Sequence, residues 1–569
     1  MIVFCLALLP AAFIVRLIAA YGVNVPFGDE WSMIPLFAKW NEHHLTFAEL
    51  FRQHMEHRIL FPKLIYVGFA QFTHWNVKAE MFFSMLLCVV TSLCVLGLLQ
   101  RTVPGSTRRR LWLWAIANLL IFSPAQAENW MWGFQLAMFI PTICLVGSLL
   151  ILSSAEIKRA RFIAAAILAV IATFSFGNGL LLWPVIGLYL ISKIGSRRWM
   201  ILWAALFVVV AISYFVGYQI PQIPARHAAD ALDYLTYFLR FNGNALGQFP
   251  LPCRLALTAV IGATALLLFF AAAAVILKSC GVLASPSAPW IAIGLYAISS
   301  SLIATFSRVH EGTEQALDLR YSSVSMNLYV ALIALIAIAS HFARQPREYR
   351  RSTFQFIASL EVLFLVAIAA WYLAALPGAV VRTSNRCQLR LRGLASLQFC
   401  KVIPPSRVLR RNLRINAEFP EFEQNVAVID RLQLLDPPLR SSDILYEGAH
   451  KPHLSTDEFG QCDTIIRRGS TLFEMSGWAF LPTDDQPAGG VVLAFRSGNA
   501  WHAFGFADVN EERPDAAKKR GDQYKWSGWR RVIDLASVPK GVREISAWAV
   551  DAESADVYRL PGTLSTPQE

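Results

Sequence analysis

Apolar residues in this chain fall into long blocks separated by short polar links. The first block runs from Val3 to Ala20 and is broken only by Arg16. Ten more follow, at about 79–100, 111–124, 134–153, 162–175, 178–193, 199–217, 254–278, 287–306, 322–341 and 354–377. A bilayer core takes roughly 20 apolar residues per helical crossing, so the pattern predicts about eleven transmembrane helices. The first block has no basic residues before it, and Ile18-Ala19-Ala20 is a weak cleavage signal, so it is read as a retained helix.

Between these blocks lie amphipathic pieces. Residues 31–40 (W-S-M-I-P-L-F-A-K-W), 47–54 and 231–241 have the pattern of helices lying in the membrane interface. Residues 59–72 are apolar but too short to cross, and read as re-entrant or interfacial. Near 378 the text turns polar. From about 456 it shows partial period-2 alternation with Gly-containing turns: 471–480, 489–496, 501–507, 529–535 and 542–551. That favours a β-sandwich. The expected fold is therefore a multi-pass α-helical membrane protein with a C-terminal, mostly-β, sandwich-like domain. Its expected parts are a transmembrane domain at 1–377 with a long loop at 21–78, a mixed linking region at 378–456, and the sandwich at 457–566.

Composition agrees with a membrane protein. Of 569 residues 55% are hydrophobic and 16% charged, with a mean hydropathy of +0.45. The charges supply the orientation. With the N-terminus in the cytoplasm, the links at 101–110, 158–161, 193–198, Lys278 and 344–351 all face inward and hold fifteen Lys or Arg. The short opposite links 125–133 and 176–178 hold none, and 306–321 holds two. This is the positive-inside bias. It accounts for much of the net charge of +12 through anionic lipid, so no nucleic-acid partner is implied. Loop 21–78, loop 218–253 and everything after about 378 are then expected outside.

The candidate chemistry collects on that outer side. Asp29 and Glu30 follow the first block in N-V-P-F-G-D-E-W (24–31). His54, Glu56, His57 and Arg58 stand in H-M-E-H-R, and Glu128 in A-E-N-W-M-W-G-F-Q (127–135). Arg308, His310, Glu311, Glu314, Asp318, Arg320 and Tyr321 stand in the segment 307–321. A carboxylate there suits a general base for a sugar hydroxyl. Arg or His suits a phosphate, with Arg presenting a planar fork. The bland alternatives are a helix cap or a pair with Arg58 for Asp29 and Glu30, and a solvated face for 54–58. For Glu128 it is an interfacial anchor beside Trp130 and Trp132, and for 308–320 a solvated loop. In the β region Trp478, Trp501, Trp526, Trp529 and Trp548 suit glycan rings, but mostly read as core. Cys387 and Cys400 are the natural disulfide pair of the outer region. No Cys/His spacing suggests zinc, no P-loop is present, and no cofactor is called for; a divalent metal is not indicated.

The placement of F-G-D-E-W (27–31) after the first helix resembles the GT-C superfamily of integral-membrane glycosyltransferases, which use polyprenyl-phosphate-linked sugars. Members typically carry a catalytic Asp or Glu early in a long first extracytoplasmic loop, and many bacterial members add a periplasmic C-terminal domain. The resemblance covers roughly residues 1–377 in architecture, and functionally points to bacterial transferases that decorate O-antigen or other surface glycans. It implies Asp29 as base, with Glu30 orienting the acceptor or binding a metal. It also implies a polyprenyl-phosphate-sugar donor, a glycan or lipopolysaccharide acceptor, lipid contacts, and a place in the bacterial inner membrane with the C-terminal domain in the periplasm. The chain has no D-x-D pair and no W-W-D-Y-G segment of the oligosaccharyltransferase kind. Three rivals share parts of this pattern. A transporter or flippase of lipid-linked glycans would show internal repeats, which are not evident here. A polysaccharide polymerase would use lipid-linked oligosaccharide as both substrates, and a scaffold would bind glycan without transfer.

Overall fold

In the computed structural model, residues 2–565 are described apart from 155, 193–196, 222–227, 249–251, 281–285, 344–350, 406, 416–418, 448–457, 540 and 543. Parts of the basic links 193–198 and 344–351, of loop 218–253 and of the linking region 378–456 therefore lie outside the described residues. The chain divides into two compact units. The first is Met1–Gly22, His43–Gly68 and Lys78–Thr383; the second is Val23–Glu42, Phe69–Val77 and Ser384–Glu569. The loop expected at 21–78 is thus divided between them.

The first unit is helical. Eight helices among the described residues, not eleven, are long and apolar enough to cross a membrane: Ile2–Tyr21, Val77–Thr102, Gly133–Leu152, Arg197–Phe215, Arg254–Lys278, Ala288–Glu311, Leu319–Phe342 and Gln355–Gln398. Three expected crossings fall short. Thr107–Ile121 and Arg159–Thr173 have 15 residues each, and Leu182–Ile191 has 10. At about 1.5 Å per residue these measure roughly 22, 22 and 15 Å, against a hydrocarbon core of about 30 Å. The cause is local. The blocks read at 111–124 and 162–175 are themselves only 14 residues long, and Ser123-Pro124 and Gly177-Asn178-Gly179 open 3₁₀ turns beside them. Leu319–Phe342 is the central element, its apolar span wholly buried among its neighbours, whereas Arg197–Phe215 shows most of its surface.

The last of these long helices, Arg351–Gln398, has 48 residues and runs well past the polarity change at 378. It carries Cys387, and Cys400 lies two residues beyond its end; neither is in a disulfide. Residues that far apart along a helix are separated by about 20 Å, beyond the roughly 7 Å a disulfide bridges, so the expected pair does not form.

The short amphipathic pieces are helices, at Ile34–Asn41, Phe47–Phe51, Leu60–Thr73 and Ala231–Gly243.

The second unit contains two antiparallel sheets. The strands are β1 (Ile444–Leu445), β2 (Gly460–Arg467), β3 (Leu472–Leu481), β4 (Gln486–Pro487), β5 (Gly490–Ser497), β6 (Ala500–Ala507), β7 (Val509–Glu511), β8 (Gly528–Asp534), β9 (Glu544–Val550) and β10 (Val557–Ser565). One sheet has the order β1-β6-β5-β9-β10. The other has β2-β3-β8-β7, with β4 paired to β3. Strands β3 and β8 stay in register from Leu472 opposite Asp534 to Trp478 opposite Gly528. Phe473, Met475 and Ile533 of one sheet share a core with Val491, Leu493 and Ala547 of the other, which makes this a sandwich. Trp478, Trp501, Trp529 and Trp548 are buried, while Trp526 is 53% exposed.

Candidate functional site

The segment H-M-E-H folds into a tight reversal. His54 and His57 exchange both backbone hydrogen bonds at 2.8 Å, with Met55 at φ +48° and largely exposed at the tip. Arg58, next in sequence, is buried and locks this turn in place. Its Nε donates to the Tyr214 carbonyl at 2.6 Å, Nη1 donates to Phe51 O at 2.8 Å, and Nη2 donates to Val216 O. The guanidinium also covers the Phe51 ring at 4.5 Å. Arg58 therefore satisfies the bare carbonyls at the end of helix Arg197–Phe215. The hydroxyls of Tyr214 and Tyr218 return the tie, donating to the Glu56 carbonyl at 3.3 and 3.2 Å.

The turn presents Glu56 and His57 to a second segment. The Glu56 carboxylate pairs with Arg308, whose other nitrogen holds Glu311 at 2.8 Å. His57 Nδ1 accepts the Gly177 N–H at 3.3 Å, and its ring lies 4.0 Å from that of Phe176. A Cβ at position 177 would meet Nδ1 at 2.7 Å, so only glycine allows this approach. With Nδ1 accepting, the proton sits on Nε2, 3.7 Å from Glu56. Burial, then the charge of His54 and of Arg320, push the His57 pKa down to about 3, so it is neutral at pH 7.

Segment 308–321 is packed rather than solvated. It folds into 3₁₀ turns at Val309–Glu311, Gln315–Leu317 and Leu319–Tyr321, with Val309, Ala316 and Leu317 buried. His310 Nε2 lies 3.3 Å from the Tyr234 hydroxyl. Tyr237 donates to Gln315 Oε1. Gln315 Nε2 donates to the Tyr321 hydroxyl at 2.9 Å and lies 3.4 Å from Asp318 Oδ2. Arg320 Nη2 stands 3.1 Å from the same oxygen. Burial, and then the negative charges of Glu128 and Glu311, raise the Asp318 pKa against the opposing pull of Arg320. Glu128 is 8% exposed in the short helix Ala127–Trp130, next to Asn129, whose Nδ2 donates to Arg320 O at 3.1 Å. Trp130 and Trp132 are buried, Trp130 with its indole on Ser123 O at 2.9 Å, so this segment is interior and not an interfacial anchor.

His54, Glu56, His57, Glu128, Arg308, His310, Glu311, Arg320 and Tyr321 thus belong to one mixed-sign cluster. Arg58 is its scaffold, because its three nitrogens are engaged by carbonyls. Asp318, Gln315, Tyr234 and Tyr237 are further members. Asp318 was visible as a charge in 307–321, but Gln315 and the two tyrosines carried no signal beyond sitting in an amphipathic helix or a polar loop.

Two apolar grooves of about 370 and 420 Å³ lie in the same unit and share Phe61 and Ile171. The first is lined also by Leu64, Phe83 and Ile140, the second by Phe162, Ile167 and Trp183. The Phe61 N–H donates to Phe174 O at 3.2 Å, on the loop that continues to Phe176 and Gly177 against His57.

Asp29 and Glu30 stand in the second unit, in the 3₁₀ turn Gly28–Met33. Gly28 has φ +58° and donates its N–H to Leu413 O at 2.9 Å. Glu30 is 1% exposed and its Oε2 accepts the Phe27 N–H at 2.8 Å, closing the turn. Arg390 covers the Phe27 ring at 4.4 Å. Asp29 is half-buried, its backbone carbonyl accepts from Ser32 Oγ at 2.6 Å, and no described residue pairs with its carboxylate. Among the described residues no group of three or more His, Cys, Asp or Glu is placed to hold a metal ion.

No protein-family model matches the chain, and no curated protein matches it. Among solved structures it is similar to the apo crystal structure of ArnT from Cupriavidus metallidurans, at 13% identity over 74% of this chain and 87% of that one, with a TM-score of 0.42. A likeness of that size carries no argument about chemistry.

Proposed function

We propose that this chain is a bacterial inner-membrane glycosyltransferase that moves a sugar from a polyprenyl-phosphate donor to a cell-surface glycan or lipopolysaccharide acceptor. The observation that carries the reading is the packed cluster of Glu56, His57, Arg308, Glu311, Asp318 and Arg320. It lies one loop away from apolar grooves that begin at Phe61. A lipid-borne sugar phosphate needs those two surroundings together, cations for the head and an apolar channel for the tail. Arg308 and Arg320 are the proposed partners of the phosphate. Asp29 is the proposed general base, and its free carboxylate supports that role, while the Glu30 carboxylate is already committed to closing its own turn. The acceptor hydroxyl attacks the anomeric carbon as its proton passes to Asp29. The anomeric C–O bond to phosphate breaks, and the polyprenyl phosphate leaves with the electron pair. One displacement inverts the anomeric centre, with no covalent sugar–enzyme intermediate.

The test is Asp29→Asn assayed in proteoliposomes loaded with lipid-linked sugar. Loss of a base is expected to lower turnover by about 10²–10⁴-fold. Near-normal turnover removes Asp29 from that role.

A further inference from the structure

We infer that Asp318 is the carboxylate that reads hydroxyl groups on the sugar ring, and so distinguishes a sugar-bearing lipid phosphate from the bare lipid; this rests on the function proposed above. Four carboxylates gather in the cluster, and three are otherwise engaged or closed off, while Glu314 of the same segment bears on Arg240 and Arg254 instead. Glu56 and Glu311 are both bound to Arg308, and Glu128 is 8% exposed. The Asp318 side chain is 41% exposed. Its two oxygens differ. Oδ2 takes both anchoring contacts, from Arg320 at 3.1 Å and from Gln315 at 3.4 Å. Oδ1 has no protein partner among the described residues.

The support behind that carboxylate is fixed. Tyr237 donates to Gln315 Oε1, which orients the amide so that its nitrogen faces Asp318 and Tyr321. Asn244 Nδ2 donates to the Asp318 carbonyl at 2.8 Å and to Ala316 O at 3.0 Å, pinning the backbone on either side. Three residues before Gln315, Gly312 has φ +112° and open space where a Cβ would stand. A carboxylate oxygen that is presented while its twin is pinned is a pre-oriented acceptor for a hydroxyl, and hydroxyls are what distinguish a sugar-bearing lipid from a bare lipid phosphate.

The experiment measures binding rather than turnover. The full chain in nanodiscs is titrated with undecaprenyl phosphate and with its glucosyl, galactosyl and mannosyl forms. Wild type is expected to bind at least one hexosyl form more tightly than the bare lipid. Asp318→Ala is expected to lower the preference for that form over the bare lipid about ten-fold or more, since a hydrogen bond to a charged group is worth roughly that. Gln315→Leu, which frees the carboxylate without removing it, is expected to give a smaller loss with the same selectivity. Arg308→Ala should weaken both lipids. Equal loss of both lipids in Asp318→Ala means the residue only pins its loop, and overturns the inference, as does a wild type with no preference for any hexosyl form over the bare lipid. If wild type binds none of the four lipids, the proposed donor class itself fails.

Discussion

The helical unit has two polar ends, and they are built on opposite principles. At one end stand Arg101, Arg109 and Arg110, whose contacts are mostly main-chain carbonyls. Arg101 reaches Leu150 O at 2.6 Å and Arg110 reaches Val103 O at 2.7 Å, both near helix C-termini where a cation is favoured. Arg109 alone meets a buried acid, Glu361, at 2.6 Å. At the other end acids, bases and cations are interleaved and half-buried, and Arg308 joins two carboxylates. An end whose cations mostly cap main-chain carbonyls requires little precision. A mixed, partly desolvated end is costly unless each charge has a partner, and such an arrangement marks chemistry more often than anchoring.

The contrast can be broken by substitution. Of the substitutions at the two ends, Arg308→Ala should have the largest effect, because it leaves Glu56 and Glu311 without their shared cation; transfer is expected to fall about 10²–10³-fold. The measure is initial rate at saturating lipid-linked sugar. Arg58→Ala should cost about 3–5 kcal/mol of stability, read by thermal unfolding in detergent, because three carbonyls lose a buried charged donor. Arg58→Lys should recover little of it, since one ammonium cannot repeat the planar fork.

Acid should separate the ends as well. The folded pKa of His57 lies at about 3, below the ordinary value of 6.5, so the unfolded chain binds more protons between those limits. Stability should therefore rise with pH through that window and level off above about 6.5. His57→Gln is expected to flatten this limb, and an unchanged acid limb in the variant would falsify the burial of a neutral His57. Gly177→Ala forces a methyl against His57 Nδ1 and should cost about 1–3 kcal/mol and roughly ten-fold in rate. Arg110→Ala at the opposite end should leave transfer within two-fold. A large loss there would erase the distinction between the two ends.

Much of the helical architecture was legible in one dimension, because hydrocarbon leaves the chain little choice: apolar blocks become helices and the basic links choose a side. Strands β3, β5, β6, β8 and β9 were readable from alternation and turn residues, whereas β2, β4, β7 and β10 were not. Helix ends were not. Ser123-Pro124 and Gly177-Asn178-Gly179 look like minor interruptions in apolar text, yet they bound three helices too short to cross and begin the loops that reach the cluster. The long helix Arg351–Gln398 was missed in the other direction, since Pro377-Gly378, which reads as a stop at the polarity change, is accommodated inside the helix.

The sequence by itself determined which residues carry charge near the membrane and on which side they collect, because burial of an unpaired charge is too costly to scatter them. Tertiary structure alone decided what each charge does. Arg58 and Arg308 read alike in sequence, but one seals helix-end carbonyls and the other joins Glu56 to Glu311. Asp29 and Glu30 are neighbours, but the geometry of a single turn draws Glu30 onto the Phe27 N–H and leaves the Asp29 carboxylate open. Hydrogen bonds depend on ångström positions that come from residues far apart in the chain, and no local pattern encodes them.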